Sequence, residues 1–301
     1  MTSKLTSLSD AIRTHVHDGD TLYASGFTHL IPFAAGHEII RQGIKNLVLA
    51  RATPDLIYDQ MVAAGCAQKL IFSYIGNPGV GSLRRIRAAI EAGELAWEEY
   101  SHFSMISRLQ AGASGLPFMP MKATGGADLI DRNPWYRKIT DPYSGEEVVV
   151  VPPLVPDVAI VHVQRADILG NAHVWGITGE QRLAAFAAQR VIITAEEIVD
   201  GAVIRSDPNR TLIPGMVVDA VCHVPYCAHP SYTQGYHDRD NEFYLAWDEI
   251  SKTEESVQAY LDEWVFGVPD RASYWEKLGT EVHQRLAVGE RFSKKINYGN
   301  Y

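Results

Sequence analysis

Cysteine is scarce. Only Cys66, Cys222 and Cys227 occur in 301 residues. So odd and sparse a count excludes a disulfide scaffold and suits a reducing compartment, so a cytoplasmic location is expected. Basic charge is short as well: 27 Lys and Arg against 36 Asp and Glu leave a net charge of −9. That balance argues against a nucleic-acid groove as the main function. It leaves room for an anionic small ligand, whose site needs only a few local amides and arginines. No apolar run reaches the roughly 18 residues of a membrane span, and the first residues are polar, with no apolar targeting core. Repeats, low-complexity tracts and Gly/Ser linkers are missing too.

Self-sufficient catalytic signatures are also lacking. No Gly-x-Gly-x-x-Gly follows a strand-like run, and no glycine-rich loop ends in Gly-Lys-Ser/Thr, which disfavours dinucleotide and P-loop chemistry. Gly-x-Ser-x-Gly is absent; Ala113-Ser114-Gly115 follows an apparent helix and ends it. Cys222-His223 with Cys227 and His229 invites a metal reading. Yet adjacent residues on a strand point to opposite faces, and the spacing fails the paired-cysteine templates, so no metal is expected. The pairs Glu98-Glu99, Glu146-Glu147 and Glu196-Glu197 fail as acid/base dyads for the same reason. Each is expected to be one solvated carboxylate and one local hydrogen bond.

What the chain does have is alternation. Ser7 suits the cap of a helix from Leu8 to Val16, and Asp18-Gly19-Asp20 turns into a strand over Thr21–Ser25. Pro32 suits the first turn of a helix carrying Phe33, Ile39 and Ile40. Strand Leu47–Ala50, a helix near Asp55–Ala64, strand Leu70–Tyr74 and a basic helix Leu83–Glu91 follow. The pattern resumes with strand Val158–Val163, helix Gln181–Gln189 and strands Val191–Thr194 and Val217–Val224. Gly125–Gly145 has neither period and reads as an irregular excursion. From Thr253 the pattern turns helical, with Val257, Tyr260, Leu261 and Trp264 on one stripe and a second helix over roughly Ser273–Leu286. The tail Arg291–Tyr301 is basic and aromatic and suits a partner's surface. This alternation predicts an open, mostly parallel α/β sheet with right-handed crossovers and flanking helices. One domain over 1–301, with a helical extension from about 250, accounts for it.

Ligands of such sheets bind beyond the carboxyl ends of the strands. Three segments lie there: Gly26–Ile31, Gly76–Gly81, and Pro225-Tyr226-Cys227-Ala228-His229-Pro230. Their glycines let backbone amides approach a ligand.

Several stretches in fixed order resemble a known family. They are Asp18-Gly19-Asp20 through Gly26-Phe27-Thr28, Leu116-Pro117-Phe118-Met119-Pro120, Asp157-Val158-Ala159-Ile160 and Ile213-Pro214-Gly215-Met216-Val217-Val218-Asp219-Ala220. Pro225 to Ser231, Asp240-Asn241 and Glu263-Trp264-Val265-Phe266 continue the series. Together they resemble the α subunits of family I CoA-transferases, the glutaconate branch in particular, nearly end to end. The resemblance implies the same open sheet. It also implies a β-subunit partner, in an α2β2 or larger complex, that carries the nucleophilic glutamate in a Ser-Glu-Asn-Gly stretch. No such stretch occurs here. It further implies coenzyme A as substrate rather than bound cofactor, with CoA moved between an acyl-CoA and a carboxylic, expectedly dicarboxylic, acid.

On that basis Gly26, Phe27, Thr28, Asn77, Gly79, Ser101 and His102 are the expected substrate contacts. His102 is the residue able to bind a substrate carboxylate or move a proton. Two departures stand out. Position 102 carries an imidazole where the glutaconate branch has a polar amide and the steroid-ring-cleaving hydrolase branch an acid. Pro78 replaces a serine beside Asn77, removing a hydroxyl and an amide donor. Arg84, Arg85 and Arg87 could neutralise phosphate, although helix arginines are usually solvated. A CoA-thioester hydrolase or carbon–carbon lyase of the same fold, and a non-catalytic scaffold, remain open alternatives.

Overall fold

The Ser7 hydroxyl accepts the Asp10 amide and so starts α1, Leu8–His15; such a cap satisfies one of the four orphan amides of a helix start. β1 (Thr21–Ala24), α2 (Phe33–Gln42), β2 (Leu47–Ala50), α3 (Leu56–Ala63), β3 (Ala67–Phe72), α4 (Arg84–Glu91), β4 (Ala96–Glu99) and α5 (His102–Ala113) follow in strict alternation. The computed structural model describes residues 2–77, 80–122 and 128–289. Pro32 takes the cap position before α2 rather than its first turn.

The stretch expected to be irregular is not so. Residues 128–145 hold the short helix α6 (Asp128–Arg132) and strand β6 (Arg137–Thr140). β6 and β5 (Met119–Met121) flank β7 (Glu147–Val151) in a three-stranded antiparallel sheet. Alternation along Arg-Lys-Ile-Thr is too brief to announce a strand; it forms because Val148–Val150 offer a paired edge.

The second half brings β8 (Val158–Ala166), β9 (Ala172–His173), α7 (Gln181–Ala187), β10 (Arg190–Ile198), α8 (Gly201–Ser206), β11 (Thr211–Ile213) and β12 (Ala220–His223). The expected strand from Val217 begins later, because Gly215–Val217 form a 3-10 turn. The helical C-terminal region starts earlier than expected, with α9 (Asn241–Ile250), followed by α10 (Glu254–Leu261) and α11 (Arg271–Leu286). The tail from 291 lies outside the described residues. Among the described residues, no helix is long and apolar enough to cross a membrane.

Every pairing among β1, β2, β3, β4, β8, β10 and β12 is parallel. β1 sits between β2 and β8, so the chain winds outward from β1 on one side and from β8 on the other. Such a reversal opens a crevice at the carboxyl ends of the central strands. β8 and β10 read as continuous apolar runs because helices cover both faces. Leu22 and Ala24 join the α1–α3 side of the core, and Tyr23 between them the α5/α7 side, as a two-residue period requires.

Candidate functional site

At the carboxyl ends of β1, β2 and β3 lies a cavity of about 490 Å³. It is lined by Phe27, Thr28, Arg51, Thr53, Asp55, Tyr74, Gly76, Asn77, His102, Ile177 and Arg239. Four expected contacts meet here: Phe27 and Thr28 from the loop after β1, Asn77 from the loop after β3, and His102 from the start of α5. Gly26 stands just behind. Ser101 does not join them; its hydroxyl caps α5 by accepting the Ser104 amide. Gly79 and Pro78 lie outside the described residues. The third wall comes from Arg239 and Ile177 rather than from Pro225–Pro230, whose Cys227, Ala228 and His229 are buried.

The loop after β1 is held in an uncommon shape. Gly26 has φ 134°, and Thr28 and Leu30 have φ 53° and 57°. A Cβ at Gly26 would lie 2.8 Å from the carbonyl oxygens of both His29 and Leu30, so only glycine fits. Arg51 Nη2 donates to the Gly26 carbonyl at 2.7 Å. The Phe27 amide turns back onto the His29 carbonyl at 3.1 Å, so it is not a donor to the cavity. From behind, Ser231 Oγ donates to the Thr28 carbonyl at 2.8 Å. His29 ties the loop to two other segments: its Nδ1 reaches the Ile177 carbonyl at 2.9 Å and its Nε2 accepts the Gln234 amide at 3.0 Å. Burial pulls this imidazole down to about 4, so it stays neutral.

Donors without partners remain around the cavity. Thr28 Oγ1, Asn77 Nδ2 and Arg51 Nη1 are buried polar atoms with no hydrogen-bond partner. Buried donors are nearly always satisfied, so three beside one cavity mark a place for a polar or anionic group. Asp55, the one carboxylate lining the cavity among the described residues, is already engaged. It accepts the Leu56 amide and the Tyr244 hydroxyl. Glu180 lies close behind, and burial raises its carboxyl against the pull of Arg51 and His102. Both nitrogens of His102 meet hydroxyls, Thr53 Oγ1 at 2.8 Å and Ser73 Oγ at 3.0 Å.

Arg51, Thr53 and Ser73 were missed in the sequence. Arg51 and Ser73 directly follow β2 and β3, so the strand-tip rule extended to every strand would have found them; Thr53, three residues past the end of β2, lies beyond its reach. Arg84, Arg85 and Arg87 are spent elsewhere: Arg84 pairs with Asp248, Arg85 lies near Glu254, and Arg87 donates to the Ile75 carbonyl.

A second polar cluster lies away from the cavity. Glu196, expected to be half of an unremarkable pair, is buried. It accepts from His162 across neighbouring strands at 3.0 Å and from the Tyr226 amide at 2.7 Å. Its neighbour Glu197 takes Arg165 at 2.7 Å. The reason is register: Thr194 pairs with His162, which brings the Glu196 side chain two residues on to the same ring. Among the described residues, no group of His, Cys, Asp and Glu has the makings of a metal site.

Three comparisons bear on the chain. The family model described as Coenzyme A transferase matches residues 5–223. One subunit of the 3-oxoadipate CoA-transferase of Pseudomonas knackmussii is 48% identical over 279 residues, covering 92% of this chain and 98% of that protein. The crystal structure of glutaconate coenzyme A-transferase from Acidaminococcus fermentans superposes with a TM-score of 0.91 at 38% identity, covering 96% of each chain. A crystal structure of a variant of the decarboxylase AibA/AibB superposes with a TM-score of 0.74 at 30% identity, covering 87% of this chain and all of that one.

Proposed function

Because the chain belongs to the coenzyme A transferase family, a family of enzymes, we propose that it is the α subunit of a heteromeric CoA-transferase. It moves CoA from an acyl-CoA to a dicarboxylic acid, in an α2β2 or larger complex in the cytoplasm. One observation carries the reading. The cavity offers donors from Thr28, Arg51 and Asn77, yet the one carboxylate lining it among the described residues, Asp55, is held through Oδ1 by the Leu56 amide and the Tyr244 hydroxyl. A donor-rich wall whose carboxylate is held at the start of α3 suits one half of an active centre.

The missing half is a glutamate of the β subunit. Its carboxylate attacks the thioester carbonyl, the C–S bond breaks, and CoA leaves as thiolate from an acyl-glutamyl anhydride. The thiolate attacks the glutamyl carbonyl, releasing the first acid and leaving a glutamyl-CoA thioester. The acceptor carboxylate then reverses the sequence. Covalent catalysis divides one hard exchange into easier ones. Each tetrahedral stage develops an oxyanion, for which fixed donors matter most. Thr28 Oγ1 and Asn77 Nδ2 are the donors on this side, with the Gly26 loop braced by Arg51 and His29. Arg51 and Arg239 give the cavity the positive character a second carboxylate requires. Coenzyme A enters as substrate. The three free, buried cysteines support the cytoplasmic placement.

The likeness to a decarboxylase favours one second reading, a CoA-thioester lyase or hydrolase of the same fold. One assay decides. The reconstituted complex is given an acyl-CoA with and without an acceptor acid. Dependence on the acceptor supports the transferase, and product without acceptor the alternative. A scaffold role predicts that no cavity residue of this chain alters turnover.

A further inference from the structure

The hydroxyls around His102 determine where its protons are. Ser73 Oγ lies 2.5 Å from the Ala52 carbonyl oxygen. Two oxygens so close need a hydrogen between them, and only the hydroxyl has one. Ser73 therefore donates to Ala52. The same Oγ is 3.0 Å from His102 Nδ1. With its own proton committed, Ser73 can only accept there, so Nδ1 carries a hydrogen. The neutral ring is then the Nδ1–H tautomer, and Nε2, 2.8 Å from Thr53 Oγ1, is a lone pair that takes the Thr53 proton.

We infer that Thr53 is a specificity-determining residue whose hydroxyl is switched by the charge of His102. In the neutral state the Thr53 proton points at Nε2, and the hydroxyl shows only lone pairs to the cavity. When His102 takes up a proton, Nε2–H donates to Thr53 Oγ1, and the Thr53 proton turns into the cavity as a donor. A carboxylate in the cavity accepts it, and its charge in turn favours the imidazolium. Binding of a distal carboxylate is thereby coupled to uptake of one proton, with no covalent bond made or broken. Ser73 is the positioning residue, since it keeps Nδ1 protonated in both states. The charged groups around this set are Arg51, Asp55 and Arg239 on the cavity wall and Glu180 behind it. Asp55 and Glu180 face the set whether or not a ligand is bound, so the coupling is read as the difference in proton uptake between a ligand with a distal carboxylate and one without.

This rests on the proposal that one substrate is a dicarboxylic acid, and the test separates the two. Binding of glutarate and of butyrate to the complete complex, without acyl-CoA, is measured calorimetrically at pH 8 in buffers of different protonation enthalpy. Glutarate is expected to bind more tightly than butyrate and to take up a proton, while butyrate takes up none. Thr53→Val should weaken glutarate about tenfold, as loss of one hydrogen bond to a charged group predicts, and leave butyrate unchanged. Thr53→Ser should restore it, and His102→Gln should abolish the uptake. Glutarate binding no tighter than butyrate overturns the dicarboxylate reading and this inference with it. Tighter glutarate binding without proton uptake, or unchanged in Thr53→Val, overturns the inference alone.

Discussion

Replacing Gly26 by alanine adds one methyl group behind the cavity and alters the chemistry of no side chain that lines it. The new Cβ would stand 2.8 Å from two backbone carbonyl oxygens and 3.0 Å from Ile31 Cγ1. Backbone oxygens cannot swing aside as a side-chain tip can. Overpacking of this kind costs about 1–3 kcal/mol, and alanine at φ 134° adds a strain of roughly 1–3 kcal/mol. The loop relieves both by moving, which draws the Gly26 carbonyl away from Arg51 and displaces the Thr28 donor. A shift approaching 1 Å costs on the order of 10²-fold in rate. Partner binding, spread over a large interface, should change little. The assay is kcat/KM of the reconstituted complex beside co-purification of the partner and the Tm of the chain. Wild-type turnover would refute the strain argument. Turnover and assembly lost in equal proportion would show that the loop only supports the fold.

Three further changes test the frame around the site. Tyr58 Oη accepts the Ala24 amide and donates to the Ala50 carbonyl, both at 3.0 Å; Tyr58→Phe leaves two buried groups unpaired and should cost about 2 kcal/mol, read as a lower denaturant midpoint with unchanged slope. Trp247 Nε1 donates to Asp59 at 3.0 Å, and burial raises that carboxyl to about 6; Trp247→Phe should destabilise by about 1–3 kcal/mol and raise Asp59 further, measured by unfolding and by titration. Burial opposes a charged His162, yet Cys227 and Glu196 lift it to about 10 from 6.5. Burial likewise opposes the Glu196 carboxylate, but His162 and His237 hold it far below 4.5. The raised histidine stabilises fully below about pH 6.5 and progressively less up to about 10, and the depressed carboxylate stabilises above about 4.5. Stability should therefore peak between those values and erode toward alkaline pH. Glu196→Gln should flatten that profile and cost roughly 3 kcal/mol or more, as thermal melts across pH would show.

The central strands were legible because burial on both faces leaves an apolar run. Leu47–Ala50 appears in the structure with the bounds read from the sequence, and Val158–Val163 lies inside β8. The small antiparallel sheet was hidden because Met-Pro-Met and Arg-Lys-Ile-Thr are too short to show a period. α9 was missed although Asp240 caps it, since its start follows directly on the loop around His237. In the site, the glycine at the tip of β1 was visible from its place after a strand. Thr53, which meets His102 Nε2, was not: it stands three residues past the end of β2, and a hydroxyl leaves no mark in hydrophobic periodicity. His162 and Glu196 meet only through the register of β8 with β10, which composition does not encode.

The central claim is that this chain provides one wall of a thioester site whose reactive carboxylate belongs to another polypeptide. The direct measurement is intact-mass analysis of the separated chains after the reconstituted complex has been incubated with an acyl-CoA and no acceptor. The account predicts a mass gain of one CoA, less water, on the partner and an unmodified mass for this chain. A CoA adduct on this chain, or turnover by this chain purified alone, would contradict it.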